Sequence, residues 1–274
     1  MTRRLRLDAE LVRRGLARSR EQAAELVQQG RVTVGGMVAR KPATAVDTAA
    51  ALVVRPGGDD APPDYVSRGA HKLAGALSAF GGPDVAGRRC LDAGASTGGF
   101  TDVLLRAGAR EVVAVDVGYG QLAWPLRQDP RVVVHDRTNV RDLTATAIGG
   151  PVDVVVGDLS FISLRLVLPA LTSVCRDDGD LVCMVKPQFE VGRDRLGRGG
   201  VVRDPAQRVA AVLGVAAAAH ELGWGTRAVT ASPLPGPSGN VEYFCWLRRD
   251  APPPRPDAVD TAVATGPTGE RVSR

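Results

Sequence analysis

The sequence predicts an α/β fold, in which a small α+β domain precedes a seven-stranded, mostly parallel sheet. Two observations predict the sheet: short apolar runs alternate with helical patterns after residue 65, and one such run ends in Asp92 before a glycine-rich loop. A third observation predicts the smaller domain. The first 41 residues hold ten basic and four acidic side chains, although the net charge of the whole chain is only +5. This segment therefore has its own composition and is expected to bind a polyanion, the alternative being an ordinary solvated charged face.

Four segments follow from composition and pattern. Residues 1–54 are predicted to form the basic domain, and residues 55–64 a linker rich in proline, glycine and acid. Residues 65–249 contain the alternating strands and helices. The proline-rich residues 250–274 are predicted to be a disordered tail.

The basic domain is predicted to be helix–helix–hairpin. The first helix runs from Asp8 to Gly15. Ser19 fits the N-cap of the second helix, with Gln22 as its capping-box partner and Gly30 as its stop.

A hairpin closes this domain, with Gly35-Gly36 as its two-residue turn, the strand Val32–Val34 before it and the return at Met37–Arg40. The segment resembles the alpha-L RNA-binding motif of a ribosomal protein and of many pseudouridine synthases. The residues that carry the resemblance are Arg6, Leu7, Asp8, Leu11, Gly15, Ser19, Arg20, Ala23, Leu26, Gly30, Val32, Val34, Gly36, Lys41 and Pro42. The resemblance implies contact with structured RNA, mostly through its phosphates; a helical hairpin that binds protein is the alternative. The candidate RNA-binding residues are Arg3, Arg4, Arg6, Arg14, Arg18, Arg20, Lys41 and Arg68.

The larger domain is predicted from its alternating elements. The strands are predicted at Arg89–Asp92, Glu111–Asp116, Val132–His135, Val152–Gly157, Leu181–Val185, Arg227–Ala231 and Val241–Leu247. The helices are predicted at Gly99–Ala107, Gln121–Gln128, Ser163–Val174 and Pro205–Leu222. Seven strands with a late strand pair favour the Rossmann-like sheet of methyltransferases over a plain dinucleotide-binding fold.

The glycine loop after the first large-domain strand predicts the cofactor. Its spacing is G-x-x-x-G-G, so the dinucleotide fingerprint G-x-G-x-x-G is not present. Asp116 ends the next strand, where a carboxylate accepts ribose hydroxyls, and Asp136 follows the third strand, where it could meet an adenine edge. With Asp92 as partner of an ammonium group, this pattern predicts S-adenosylmethionine (SAM), although each aspartate alone could be a helix cap or loop residue. The candidate cofactor-binding residues are Asp92, Gly94, Ser96, Thr97, Gly98, Gly99, Phe100, Asp116, Asp136 and Asp158.

Charged residues at neighbouring strand ends predict the reactive centre. Asp158 ends the fourth strand and Lys186 the fifth, while Glu242 starts the last strand. If that strand is antiparallel, all three share the ligand-binding edge of the sheet, and Lys72 reaches it from the preceding helix. A set of surface ion pairs is the alternative.

In order and placement, these four residues resemble the Lys-Asp-Lys-Glu tetrad of the FtsJ-like 2′-O-ribose methyltransferases. Up to about Arg249 the chain is similar to the TlyA family of rRNA methyltransferases, whose members often carry the name haemolysin. The resemblance implies 2′-O-methylation of cytidine in the small-subunit ribosomal RNA, and in some members of the family in that of both subunits, with Lys72, Asp158, Lys186 and Glu242 as catalytic residues. Lys186 is then the candidate for the group that takes the proton of the attacking hydroxyl.

Other function classes have less support in the sequence. An RNA base N-methyltransferase remains an alternative, although Asp158-Leu159-Ser160-Phe161 lacks the prolines and tyrosine of the amine-methylating pattern. A haemolysin or cytolysin is disfavoured because no export signal or apolar span is visible. The four cysteines lack metal spacing, so no metal site is predicted. The expected protein is cytoplasmic, with reduced buried cysteines and with ribosomal RNA or ribosomal subunits as partners.

Overall fold

The computed structural model describes residues 4–55, 64–192, 196–197, 199–236 and 238–267. The chain divides into two compact units, Met1–Asp64 and Tyr65–Arg274. Most of the predicted linker and residues 268–274 lie outside the described residues, as does Arg3.

In the described residues of the N-terminal unit there are two helices and five short strands. In chain order they are β1 (Arg4–Arg6), α1 (Leu7–Arg13), α2 (Arg20–Gln28), β2 (Val32–Val34), β3 (Met37–Val38), β4 (Ala45–Asp47) and β5 (Leu52–Val54). β1 pairs antiparallel with β4, and β2 lies between β3 and β5 in a separate antiparallel sheet. The fully buried side chains of Leu7, Leu11 and Val32 form its core with α2.

Local signals in this unit are where the sequence places them. The Ser19 hydroxyl accepts a hydrogen bond from the backbone N–H of Gln22 at 3.1 Å, which caps α2. Gly35 and Gly36 have φ angles of 55° and 83°, as a tight turn between β2 and β3 requires. β1, β4 and β5 are absent from the predicted elements, because strands of three residues carry too little alternation to be recognised in a sequence.

The C-terminal unit is a three-layer α/β structure. Its elements are α3 (Gly69–Phe80), β6 (Arg89–Ala93), α4 (Gly99–Arg106), β7 (Glu111–Val115), α5 (Trp124–Arg127), β8 (Val132–His135), β9 (Val152–Gly157), α6 (Leu168–Val174), β10 (Cys175–Val185), α7 (Pro187–Glu190), α8 (Pro205–Glu221), β11 (Gly225–Ala231), β12 (Tyr243–Arg248) and α9 (Pro256–Thr265). The sheet order is β11-β12-β10-β9-β6-β7-β8, and β12 runs antiparallel to the other six strands. The predicted seven-stranded, mostly parallel sheet is therefore confirmed.

Two apolar clusters cover the two faces of this sheet. Alternate residues of β6 face opposite clusters, Leu91 on one side and Cys90 on the other, as a strand covered on both faces requires. All four cysteines are buried and unbridged. No helix in the described part of the chain combines the length and the apolar character that a bilayer span needs.

Two predicted helices are shorter than their patterns. The helix predicted from Gln121 is confined to Trp124–Arg127, with a proline in its first turn. The one predicted at Ser163–Val174 is split, because Pro169 has no N–H to continue a helix from the preceding 3₁₀ turn and instead stands at the start of α6.

The predicted disordered tail is wrong for residues 256–265. They form α9, which begins with Pro256 and buries Val259 and Ala262. α9 packs against α8 and β11. Alanine and valine at helical spacing supply the apolar face, and this outweighs the proline-rich composition on which the prediction rested.

Candidate functional site

The loop between β6 and α4 needs glycine at two positions. Gly94 has a φ of 87°, and a Cβ there would lie 2.7 Å from the carbonyl oxygen of Asp158. Gly98 has a φ of 96°, and a Cβ there would lie 2.3 Å from a side-chain carbon of Leu126. The left-handed backbone and the close neighbours together explain why the glycines stand at these points of the motif.

A cavity of about 450 Å³ opens beside this loop. It lies at the carboxyl edge of the sheet, where β6 separates β7 from β9 and the strand order reverses. Of the predicted cofactor-binding residues, four line this cavity: Gly94, Ser96, Asp116 and Asp158. The remaining predicted cofactor-binding residues do not line it: Asp92, Thr97, Gly98, Gly99, Phe100 and Asp136.

Asp116 joins two loops on the cavity wall. One carboxylate oxygen accepts the backbone N–H of Ser96 at 2.8 Å, and the other accepts that of Gly118 at 2.7 Å. Each carboxylate oxygen has two lone pairs, so both retain acceptor capacity toward the cavity.

Asp92 occupies a fully buried position on β6 instead of the cavity wall. One oxygen accepts the Thr101 hydroxyl at 2.7 Å, while the other has no hydrogen-bond partner in the described part of the chain. Burial raises the pKa of Asp92 to about 7. The predicted contact between Asp92 and an ammonium group therefore does not follow from this geometry.

Asp136 is paired away from the cavity. Its carboxylate accepts a hydrogen bond from Arg127, and this guanidinium lowers its pKa from the usual range. The cavity wall after β8 consists of Thr138, Asn139 and Val140 instead. Sequence reasoning missed Asn139, although its position shortly after a strand end was a signal that could have found it.

Two lysine–carboxylate pairs stand at the same sheet edge. Lys186 Nζ lies 2.6 Å from an oxygen of Asp158 and donates to the Ser160 hydroxyl at 2.8 Å. Lys72 Nζ donates to Glu242 at 2.6 Å, and both side chains are buried.

The strands set these positions. Val185, the last residue of β10, pairs with Tyr243, the first residue of β12, so Lys186 directly follows one strand and Glu242 directly precedes its antiparallel neighbour. Asp158 follows β9, the other neighbour of β10. The sheet therefore brings Asp158, Lys186 and Glu242 to one edge, and α3 supplies Lys72.

A buried carboxylate fastens the loops that carry Asp158 and Lys186. Glu190, in α7, accepts the Ser163 hydroxyl at 2.6 Å and the Leu164 N–H at 2.7 Å. The segment after Asp158 is thereby tied to the segment after Lys186. Sequence reasoning missed Glu190 because a lone glutamate in a short helix carries no motif.

In the N-terminal unit, the predicted RNA-binding arginines differ in exposure. Arg14 donates to Glu10 and to the carbonyls of Thr48 and Ala50, so it holds α1 to the β4–β5 turn. Its side chain is 23% exposed, which does not fit the predicted RNA-binding role. Arg6 and Arg20 are more than half exposed.

Comparisons with known proteins give the same division of the chain. Residues 65–249 match the FtsJ-like methyltransferase family, and residues 5–51 match the S4 domain. The chain belongs to the FtsJ-like methyltransferase family. The predicted resemblance to this family and to a ribosomal-type RNA-binding module is therefore confirmed.

Individual relatives of this FtsJ-like chain extend over nearly its whole length. A Mycobacterium tuberculosis protein named 16S/23S rRNA (cytidine-2′-O)-methyltransferase TlyA is 62% identical over 272 residues, covering 97% of this chain and 100% of the relative. Hemolysin A of Brachyspira hyodysenteriae is 36% identical, covering 88% of this chain and 98% of its own. A Streptococcus thermophilus structure, also named as a hemolysin, has a TM-score of 0.74 and 38% identity over 96% of each chain. Proteins with haemolysin names and rRNA methyltransferase names thus share this architecture.

Proposed function

We propose that this chain transfers a methyl group from SAM to the ribose 2′-oxygen of a cytidine in ribosomal RNA. The observation that carries the proposal is the Lys186–Asp158 pair: Asp158 lines the cavity, and Lys186 touches it at 2.6 Å. The Lys72–Glu242 pair, which joins α3 to the residue before β12, would supply the other two members of a Lys-Asp-Lys-Glu tetrad. The name of the Mycobacterium tuberculosis relative supports ribosomal RNA and cytidine as the target.

The cavity fits SAM by three criteria. Its volume of about 450 Å³ is in the range of small-molecule sites. Gly94 contributes backbone without a side chain to the cavity wall, and this lets its loop approach the Asp158 carbonyl, with which a Cβ would collide. Asp116 presents carboxylate oxygens that suit ribose hydroxyls at the end of β7.

SAM, when bound, supplies an electrophilic methyl group. Asp116 and the Ser96 loop would hold the nucleoside end, and Asp158 lies on the wall beside them. Lys186 would accept the proton of the attacking 2′-hydroxyl, and Asp158 and Ser160 fix the position of its nitrogen. Lys72 and Glu242 neutralise each other and hold α3 against the start of β12.

The site is tested by Lys186→Arg, which keeps the positive charge but removes an amine that can accept a proton. A general base contributes roughly 10²- to 10⁴-fold to rate, so methyl transfer should fall by that factor while SAM and RNA affinities change little. Transfer of a tritiated methyl group to separated 16S and 23S rRNAs and subunits measures it. Arg176→Lys, an exposed exchange at the start of β10, is the matched control and should keep its activity. More than a tenth of the wild-type rate in the Lys186→Arg variant would refute the base role.

A further inference from the structure

The first turn of α1 contains a buried acid that holds two exposed arginines. The Asp8 side chain is only 6% exposed. Arg6 donates from Nε to one of its oxygens at 3.1 Å and from Nη2 to the other at 2.8 Å, and Arg20 Nη2 donates to that second oxygen at 3.0 Å. Two guanidinium groups, one from β1 and one from α2, therefore meet at one carboxylate oxygen.

The arginines remain accessible in this arrangement. The side chains of Arg6 and Arg20 are 53% and 59% exposed. Asp8 takes two of the five N–H donors of Arg6, so donors remain for an external acceptor. The hydrogen bond from Arg6, followed by that from Arg20, lowers the pKa of Asp8 to about 2, so the carboxylate is ionised at neutral pH.

We infer that Asp8 is a positioning residue that orients Arg6 and Arg20 as a paired site for a phosphodiester group of structured RNA. The inference rests on the proposed function, since it assigns a phosphate site to the RNA-binding unit of that enzyme. A long arginine side chain loses rotamer freedom when it binds, and its prior attachment to Asp8 removes part of this cost. The planar fork of arginine suits a phosphate group, and two forks held side by side suit it better than two that move independently.

Charge alone predicts the opposite effect. Asp8 places a negative charge among RNA-binding cations, so its neutralisation should tighten the binding of a polyanion. If Asp8 positions the arginines, its neutralisation should weaken binding instead. The sign of the change therefore separates positioning from simple electrostatics.

The experiment compares Asp8→Asn with Glu21→Gln in the full chain. Both variants lose one negative charge from the same unit, and Glu21 is an exposed residue in the first turn of α2. The probe is a 16S rRNA transcript, with filter binding over about 50 to 200 mM salt. We expect Asp8→Asn to bind at least about fivefold more weakly, with a shallower salt dependence, and Glu21→Gln to bind as tightly as wild type or more tightly. Tighter binding by Asp8→Asn, or an unchanged affinity, would overturn the inference.

A second comparison separates positioning from a loss of fold. In an Arg6→Gln/Arg20→Gln background, Asp8→Asn should change the affinity less than about twofold, because the residues through which Asp8 acts are gone. The same loss of affinity in both backgrounds would show that Asp8 acts through the stability of the unit and would overturn the inference. Failure of the wild-type enzyme to methylate rRNA would refute the proposed function. If the wild-type enzyme methylates rRNA but Asp8→Asn binds the transcript as tightly as wild type or more tightly, only the inference about Asp8 is refuted.

Discussion

Neutralisation of Asp92 should change how the stability of the C-terminal unit depends on pH. This carboxyl is fully buried, and burial raises its pKa from 3.8 to about 7. Between these two values the folded state keeps a proton that the unfolded state releases, so stability falls as the pH rises. Above pH 7 the folded unit holds a buried carboxylate that is stabilised by hydrogen bonds from Thr101, and no cation is among the described groups that shift its pKa.

The magnitude follows from the size of the shift. About three pKa units correspond to about 4 kcal/mol between pH 4 and pH 7, at about 1.4 kcal/mol per unit. Asp92→Asn removes this titration but retains an oxygen that can accept from Thr101. An unpaired amide donor costs about 1–3 kcal/mol at every pH. The free energy of unfolding of the variant, relative to that of wild type, should therefore rise by about 2–3 kcal/mol between pH 5 and pH 8. This rise does not depend on the difference between the two proteins at pH 5.

Urea unfolding monitored by tryptophan fluorescence measures this difference. All three tryptophans (Trp124, Trp224 and Trp246) belong to the C-terminal unit, so the signal reports that unit. Thr101→Val is a second variant: the Thr101 hydrogen bond lowers the pKa of Asp92, so its loss should extend the pH-dependent range upward. A difference between Asp92→Asn and wild type that stays constant from pH 5 to pH 8 would refute the raised pKa.

Two further predictions concern the loops at the sheet edge. Gly94→Ala should lose activity and about 1–3 kcal/mol of stability, because the added Cβ collides with Asp158 and also strains the left-handed backbone. Gly87→Ala is the control for backbone strain alone, since Gly87 has a similar φ with open space around it. Equal losses of stability in the two variants would contradict the collision. Glu190→Gln should lower kcat and leave SAM affinity within about twofold. The substitution weakens the hydrogen bond to Ser163 that ties the loops carrying Asp158 and Lys186, and Glu190 does not line the cavity. Steady-state rates and calorimetry measure this, and an unchanged kcat would contradict a role for this hydrogen bond.

The sheet and three members of the site were predictable because they depend on strand ends. A run such as Val152–Gly157 followed by an aspartate specifies both a buried strand and a side chain at its carboxyl edge. The parallel order then brings Asp158 and Lys186 together without further information. The position of Lys72 was predictable on one further assumption, that α3 packs over the carboxyl edge of the sheet.

Other features depend on partners that a single sequence does not reveal. In the sequence, Asp136 and Asp92 are strand-end carboxylates like Asp116. In the structure, however, Asp136 is hydrogen-bonded to Arg127, and Asp92 is buried away from the cavity. Arg14 has the charge of an RNA-binding residue, but its guanidinium donates hydrogen bonds to the backbone carbonyls of Thr48 and Ala50. α9 was missed because its stability comes from packing on α8 and β11.

The identity of the methylated atom tests the central claim most directly. Ribosomal RNA from a strain lacking the enzyme is incubated with the purified chain and labelled SAM, and the product is hydrolysed with alkali and with nucleases. Methylation of a cytidine 2′-oxygen predicts a labelled, alkali-resistant dinucleotide and labelled 2′-O-methylcytidine after nuclease digestion, both lost in Lys186→Arg. Label recovered in a methylated base, in alkali-sensitive mononucleotides, would contradict the account.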